Sequence, residues 1–362
     1  MKKILFLTAY PPTNITAGQN YTRLLLNDIS TSNSVDVIYW DFKGHKVDLN
    51  DTINSIKGVN VTKFQKLYRA ILNFFFFPLF TVRFSWQKAL HLKRIAKDYD
   101  LIYFDFSQVF VYSILIKHPC KIMMCHDVIS QKYSRKRFSF LYLWYIKFSE
   151  RILLNTAHYC FTFSDKDTEY LKKYLRINSN PVSFYISDDL KKISLERIVI
   201  EDYFILYGAW NRPENYEGLL WFIKKVVPYL SVKIRIIGGG MPSNIKGLLK
   251  SYNIDYLGFV DNPYPYIAAS KALIAPLFQG AGVKVKAIES LALGTTVIGT
   301  NVAIEGIPKL DNFKSVLLCE TPDEFINVIQ QFTIIKEDKI CCQKEFLQKY
   351  SNLKFRNYII NL

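Results

Sequence analysis

The chain has 362 residues, half of them hydrophobic, with 47 Lys and Arg against 31 Asp and Glu and a formal net charge of +16. At roughly 150 residues per domain this is material for two sizeable cores, and it excludes a disordered or fibrous chain. The six cysteines, Cys120, Cys125, Cys160, Cys319, Cys341 and Cys342, show no C-x-x-C spacing and no His partners at zinc-finger distance, which fits a reducing cytosol.

The opening "MKKILFLTAYPP" imitates a signal peptide, but the apolar run is too short and no small-residue cleavage site follows, so it reads as the first core strand. Strand-like runs "KILFLTAY", "VDVIYWDF", "DLIYFDF", "CKIMMCHD" and "YCFTFS" then alternate with helical patterns such as "NYTRLLLNDIS". That alternation predicts a parallel sheet with crossover helices. From Lys57 to Lys97 there are many Lys and Arg and no Asp or Glu, so a basic face is expected there.

Two segments combine aromatic bodies with basic flanks, "LYRAILNFFFFPLFTVRFSW" at Leu67–Trp86, broken by Pro78, and "RKRFSFLYLWYIKFSERILL" at Arg135–Leu154. Core helices would account for them, but the flanking charge suits the headgroup boundary of an anionic leaflet, which makes an anionic membrane surface an expected partner. No uninterrupted apolar segment approaches the roughly 20 residues of a membrane span.

The polar, irregular stretch from Asn178 to Asp202 reads as a linker. A second series follows it: "YFILYGAW", "VKIRIIGG", "IDYLGFV", "KALIAPLF", "TTVIGT" and "SVLLC". The fold class expected is therefore α/β, with two doubly wound Rossmann-like domains at 1–187 and 203–340 and a basic tail, about 345–362, that reads as a helix.

Most of the chemistry sits in "APLFQGAGVKVKAIESLALGTTVIGT", Ala275 to Thr300. A glycine-bearing βα loop, with Gly280 and Gly282, lets backbone N–H groups approach an anion at a helix N-terminus. Lys286 and Glu289 are three apart on one helix face, with Lys284 nearer the N-terminal end. Lysines there can neutralise a diphosphate, and a carboxylate one turn on can accept hydrogen bonds from the vicinal hydroxyls of a ribose. The same residues also describe an ordinary capping loop with a surface Lys/Glu pair.

The surrounding sequence settles the preference. "YGAWNRPENYEGLLWFIKKVVP", "RIIGGG", "LGFVDNPYPYIAASKALIAPLFQGAGVKVKAIESLALGTTVIGT" and "AIEGI" resemble, in order and spacing, the second domain of bacterial family 4-like (group 1) glycosyltransferases of the GT-B fold. The match covers most of Tyr203 to Ile307; the first half is similar more loosely, through its opening strand, its glycine loop and a "CHD" strand end.

The resemblance implies two Rossmann-like domains facing each other across a cleft, with the tail packing back on the first. It implies that Glu289 holds the nucleotide ribose, that Lys286, with Lys284 as second candidate, binds phosphate, and that Arg212 lies near a phosphate-contacting position. It implies further that Gly18 packs against the donor phosphates and that His126 stands beside the donor sugar. The catalytic set expected is thus His126, Lys286 and Glu289, with Gly18, Arg212, Gly280, Gly282 and Lys284 binding the donor. Three positions depart from the family pattern. Gln279 stands where a first glutamate is expected, Glu217 where a lysine is, and Ala17 where a second glycine often is.

Other motifs carry less. "DYD" at Asp98–Asp100 immediately precedes a strand and "DKD" at Asp165–Asp167 opens a helix, where Ser164 and the two aspartates are natural caps, so no metal is expected. Lysines interleaved with aromatics could stack on nucleic acid, but no recognition helix, zinc or RRM signature accompanies them, and no nucleic-acid partner is expected. The resulting expectation is a retaining, metal-independent transferase in polysaccharide synthesis. It would need no cofactor, taking a UDP- or GDP-sugar donor and a glycan or lipid-linked acceptor at the inner face of the cytoplasmic membrane. A sugar-nucleotide epimerase of the same fold and a non-catalytic nucleotide-binding module are the alternatives.

Overall fold

In the computed structural model, which describes residues 1–359 apart from 43, 45, 46, 135–137, 188, 189, 191, 194, 253, 281, 313 and 351–357, each half of the chain builds its own parallel sheet. The first unit comprises Met1–Tyr185 with the segment from Asn352 onward, and the second Ile186–Ser351. The boundary falls inside the stretch read as a linker.

The first sheet contains β1 (Lys3–Thr8), β2 (Ser34–Asp41), β3 (Ser55–Asn60), β4 (Leu101–Asp105), β5 (Lys121–Cys125), β6 (Tyr159–Thr162) and β7 (Asn180–Pro181), in the order β3-β2-β1-β4-β5-β6-β7. Its central strands are buried on both faces, which is why they read as continuous apolar runs. Helices α1 (Ala17–Ile29), α2 (Lys63–Leu72), α3 (Pro78–Thr81), α4 (Trp86–Ile95), α5 (Ile129–Ser134), α6 (Leu143–Leu154) and α7 (Asp165–Tyr170) complete the unit. On α1, the Thr16 hydroxyl caps the helix by accepting the Gln19 N–H, and Tyr21, Leu25, Leu26 and Ile29 are buried.

The aromatic run divides by depth: Phe76, Phe80 and Phe84 enter the core while Phe74 and Phe75 stay exposed. Pro78 does not merely break a helix; it occupies the first turn of α3, where its missing N–H costs nothing. Asp100 accepts the Lys3 N–H at 2.7 Å, and the Ser164 hydroxyl caps α7 by accepting the Asp167 N–H at 3.1 Å.

The second sheet runs β10-β9-β8-β11-β12-β13, with β8 (Phe204–Tyr207), β9 (Ile234–Ile237), β10 (Asp255–Gly258), β11 (Ala272–Ala275), β12 (Thr296–Gly299) and β13 (Val316–Leu318). Its helices are α8 (Pro213–Lys225), α9 (Ser243–Ser251), α10 (Tyr264–Ala269), α11 (Val285–Ala292), α12 (Pro322–Gln331) and α13 (Lys336–Lys349). In both units the strand order reverses beside the first strand, the switch point where open α/β sheets bind ligands.

The tail differs from the helix expected at about 345–362. Helix α13 begins at Lys336 and belongs to the second unit, held there by the buried Lys339, whose Nζ donates to Ala268 O and Thr295 Oγ1. Residues 351–357 and 360–362 lie outside the described residues. Tyr358 and Ile359 belong to the first unit, Tyr358 edge-on to Phe161 at 5.3 Å. Among the described residues no helix is long and apolar enough to cross a membrane.

Candidate active site

The sequence-derived residues fall into two groups, one in each unit. In the second, β11 ends at Ala275 and the glycine loop carries the chain into α11, with Gly280 at φ +114° and Gly282 at φ +71°. These are left-handed conformations that a side chain resists, so the loop can bring its backbone close to a ligand. Lys284 occupies the N-cap position of α11 and donates to Gly282 O at 2.6 Å, with Glu305 at 3.6 Å.

Lys286, in the first turn, donates from Nζ to Asn215 Oδ1 at 2.8 Å, and Asn215 in turn donates to Ala209 O at 2.9 Å. Burial, then the Lys284 charge and to a smaller extent that of Arg212, push the Lys286 ammonium down to about 7, against the opposing pull of Glu214. Arg212 itself is exposed at the N-cap of α8. Three cations therefore gather at two helix N-termini, where the helix dipoles add to the positive potential.

One turn on, Glu289 accepts the Tyr264 hydroxyl at 3.0 Å, and burial raises its carboxyl to about 7. Its charge is the first cause holding the neighbouring Tyr207 phenol well above its usual range. A lysine and a glutamate on one face, both displaced toward neutrality by burial and each held by one neutral hydrogen-bond partner with no ion pair among the described residues, describe a cradle for a ligand of matching charge and hydroxyls. Two of the three departures from the family pattern touch one another: the Gln279 amide donates to the Glu217 carboxylate.

In the first unit β5 ends just before His126. The His126 Nε2 donates to Asp105 Oδ1 at 2.7 Å, and Asp105, fully buried at the end of neighbouring β4, also accepts the Thr8 and Thr22 hydroxyls at 3.0 and 2.6 Å. That bond fixes the tautomer and leaves Nδ1 as the acceptor on the side of α1. A Cβ on Gly18 would stand 3.3 Å from that Nδ1 and 3.1 Å from the Phe106 ring, so the glycine admits both rings to the helix N-terminus. Phe106 stacks on the imidazole at 3.6 Å, with its own backbone at φ +68°.

Asp105, Asn215 and Tyr264 were not singled out in the sequence. Only Asp105 carries a usable signal, a carboxylate closing an apolar strand next to the "CHD" strand end.

Residues 201–333 match the family model "Glycosyl transferases group 1". The second unit is a group 1 glycosyltransferase domain. Solved structures extend the likeness in fold to the whole chain. Sucrose-phosphate synthase from Thermosynechococcus elongatus superposes with a TM-score of 0.70 at 16% identity, covering 100% of this chain and 99% of that one. Anabaena HepE in complex with UDP gives 0.69 at 13% identity, over 99% and 98%. WaaG, a glycosyltransferase involved in lipopolysaccharide biosynthesis, gives 0.67 at 13% identity, over 98% and 99%.

These GT-B neighbours and the strand order together fix the fold of the chain as GT-B. A 44.6 kDa protein in the cps region of Klebsiella pneumoniae is 25% identical over 115 residues, 28% of this chain; the match spans 30% of that relative's length.

Proposed function

We propose that the chain transfers a sugar from a nucleotide-diphosphate sugar to a hydroxyl of a glycan or lipid-linked acceptor, with retention and without a metal. The observation that carries this reading is the pairing of a desolvated Lys286 and a desolvated Glu289 on one helix face beside Lys284 and Arg212. Lys286, Lys284 and Arg212 take the charge that develops on the departing diphosphate. Glu289 accepts the two ribose hydroxyls. His126, its tautomer fixed by Asp105, offers Nδ1 to a donor-sugar hydroxyl.

In the retaining step the acceptor oxygen bonds to the anomeric carbon on the face from which the sugar–diphosphate bond breaks, and its proton passes to the diphosphate oxygen. The UDP in the HepE complex supports a uridine donor, and the cps-region relative supports a place in polysaccharide synthesis. Exposed aromatics among lysines and arginines on the first unit support work at the inner face of a membrane.

The test is a thermal-shift panel of UDP, GDP, CDP and dTDP with wild type and Glu289→Gln. A ligand held at a hundredfold excess over Kd adds about 2.7 kcal/mol to stability. One base is expected to raise the wild-type Tm, and the substitution to blunt that rise. If no nucleotide shifts the wild type, the donor site is absent and the transferase reading falls. With the right donor and an acceptor extract, release of free nucleotide diphosphate separates transfer from epimerisation and from binding without turnover.

A further inference from the structure

On the first unit the C-terminal ends of three adjacent strands, β2, β1 and β4, deliver Phe42, Tyr10 and Gln108 to one cavity of about 440 Å³, which Lys66, Arg83 and Tyr133 also line. Arg83 is only 4% exposed. Its Nε donates to Ala9 O at 2.8 Å, and its guanidinium carbon stands 4.4 Å from the Tyr10 ring centroid and 4.7 Å from that of Phe42. Lys66 Nζ lies 3.3 Å from the same Phe42 ring.

Two cations thus share one aromatic wall. No Asp or Glu is found among the described residues that line the cavity, and Arg83 makes no ion pair among the described residues. Asp41, next in sequence to the wall, spends a carboxylate oxygen on the Phe42 N–H at 2.6 Å. Ring faces lessen the cost of burying a guanidinium but do not replace a counter-ion. An anion in the cavity would supply one, and the planar fork of an arginine matches a phosphate best.

The neutral lining points to the rest of the ligand. Gln108 lines the cavity and donates to the Tyr10 hydroxyl at 3.4 Å, while its buried Oε1 has no partner among the described residues. The Tyr10 ring packs edge-on against Phe106 at 5.0 Å, and Phe106 is the ring stacked on His126. A single side chain therefore separates the cavity from the histidine read as the donor-sugar contact. On its other side the cavity reaches Phe77, which follows the exposed Phe74 and Phe75 in the chain and packs against Tyr142 and Tyr145 near α6.

We propose that this cavity holds the phosphate of a phosphorylated sugar acceptor, with Arg83 forking the phosphate, Lys66 adding a second charge and Gln108 taking a sugar hydroxyl. The inference rests on the transferase reading and names its acceptor class. The phosphate can belong to a polyprenyl-linked sugar or to a soluble sugar phosphate, and the probes below separate the two.

Binding of farnesyl phosphate, farnesol and glucose 1-phosphate is measured by thermophoresis on the full chain, with UDP titrated in parallel. Wild type is expected to bind a phosphate probe, and Arg83→Gln to weaken it by about tenfold or more, the scale of a lost charge-assisted bond. Lys66→Gln, at a half-exposed position, gives the same direction if Arg83→Gln fails to fold, and Lys286→Met leaves the phosphate probe in place.

Preference for farnesyl phosphate over both other probes assigns a lipid-linked phosphate, and glucose 1-phosphate binding as tightly assigns a soluble one. Farnesol binding as well as farnesyl phosphate, or phosphate binding lost in Lys286→Met and kept in the cavity variants, overturns the proposal. Phosphate failing while UDP still binds removes this inference alone; failure of every nucleotide removes the transferase reading with it.

Discussion

At the scale of the residue, Asp105 positions rather than reacts. It is fully buried, and it turns the His126 imidazole through one 2.7 Å bond while two threonine hydroxyls fix its other oxygen. Asp105→Asn keeps the shape and can donate where the carboxylate only accepted, which favours the opposite histidine tautomer. The expected result is a fall in kcat of about tenfold to a hundredfold, the usual cost of losing an orienting partner, with the donor KM nearly unchanged. An unchanged kcat in steady-state assays would remove the role. Glu289 and Lys286 were legible because helix spacing puts them on one face behind a glycine loop, and the resemblance of the surrounding sequence favoured a ligand site over a surface pair. Asn215 and Tyr264 were not, since what recruits them is a neighbouring helix start, and a lone Asn or Tyr at such a place has no periodicity to betray it.

At the scale of the element, α2 and α6 each present a face that nothing described covers. Phe64, Leu67 and Ile71 of α2 are 77%, 62% and 63% exposed, and Trp144 of α6 is 68% exposed. The segments adjoin through Phe77, whose N–H donates to Ser149 Oγ at 2.9 Å. Phe64→Ser with Leu67→Ser and Ile71→Ser is expected to leave Tm within a degree or two, because little buried area is lost, and to cut sedimentation with anionic vesicles severalfold. Equal sedimentation of variant and wild type, or none for either, would argue against a membrane face. Most strands were readable because burial on both sides makes them continuous apolar runs. The sheet-edge β3, "SIKGVN", is largely exposed, and β7 spans only Asn180–Pro181, so neither carries that signature.

At the scale of the whole molecule, four ionisable groups are desolvated at a cost, Glu150 and Lys339 in fully buried residues and Lys286 and Glu289 in half-buried ones. Burial raises Glu150 and Glu289 to about 7 and lowers Lys286 and Lys339 to about 7. The folded glutamates hold protons that the unfolded chain has released, so their contribution to stability falls as pH rises from about 4.5 to 7. The folded lysines have released protons that the unfolded chain keeps, so theirs rises from about pH 7 to 10.5. Together they predict a shallow minimum near neutrality. Urea midpoints for Glu289→Gln relative to wild type are expected to climb between pH 5 and 7 and then level off; a constant difference would show that the carboxylate is not desolvated. The return of Tyr358 to the first unit has a consequence in time. Ribosomes add about 5–20 residues per second, so the second unit is synthesised for on the order of 10–30 s before this last piece of the first emerges. Until then the first unit exists as an unfinished nascent domain, and its surface around Phe161 is the part a chaperone would meet.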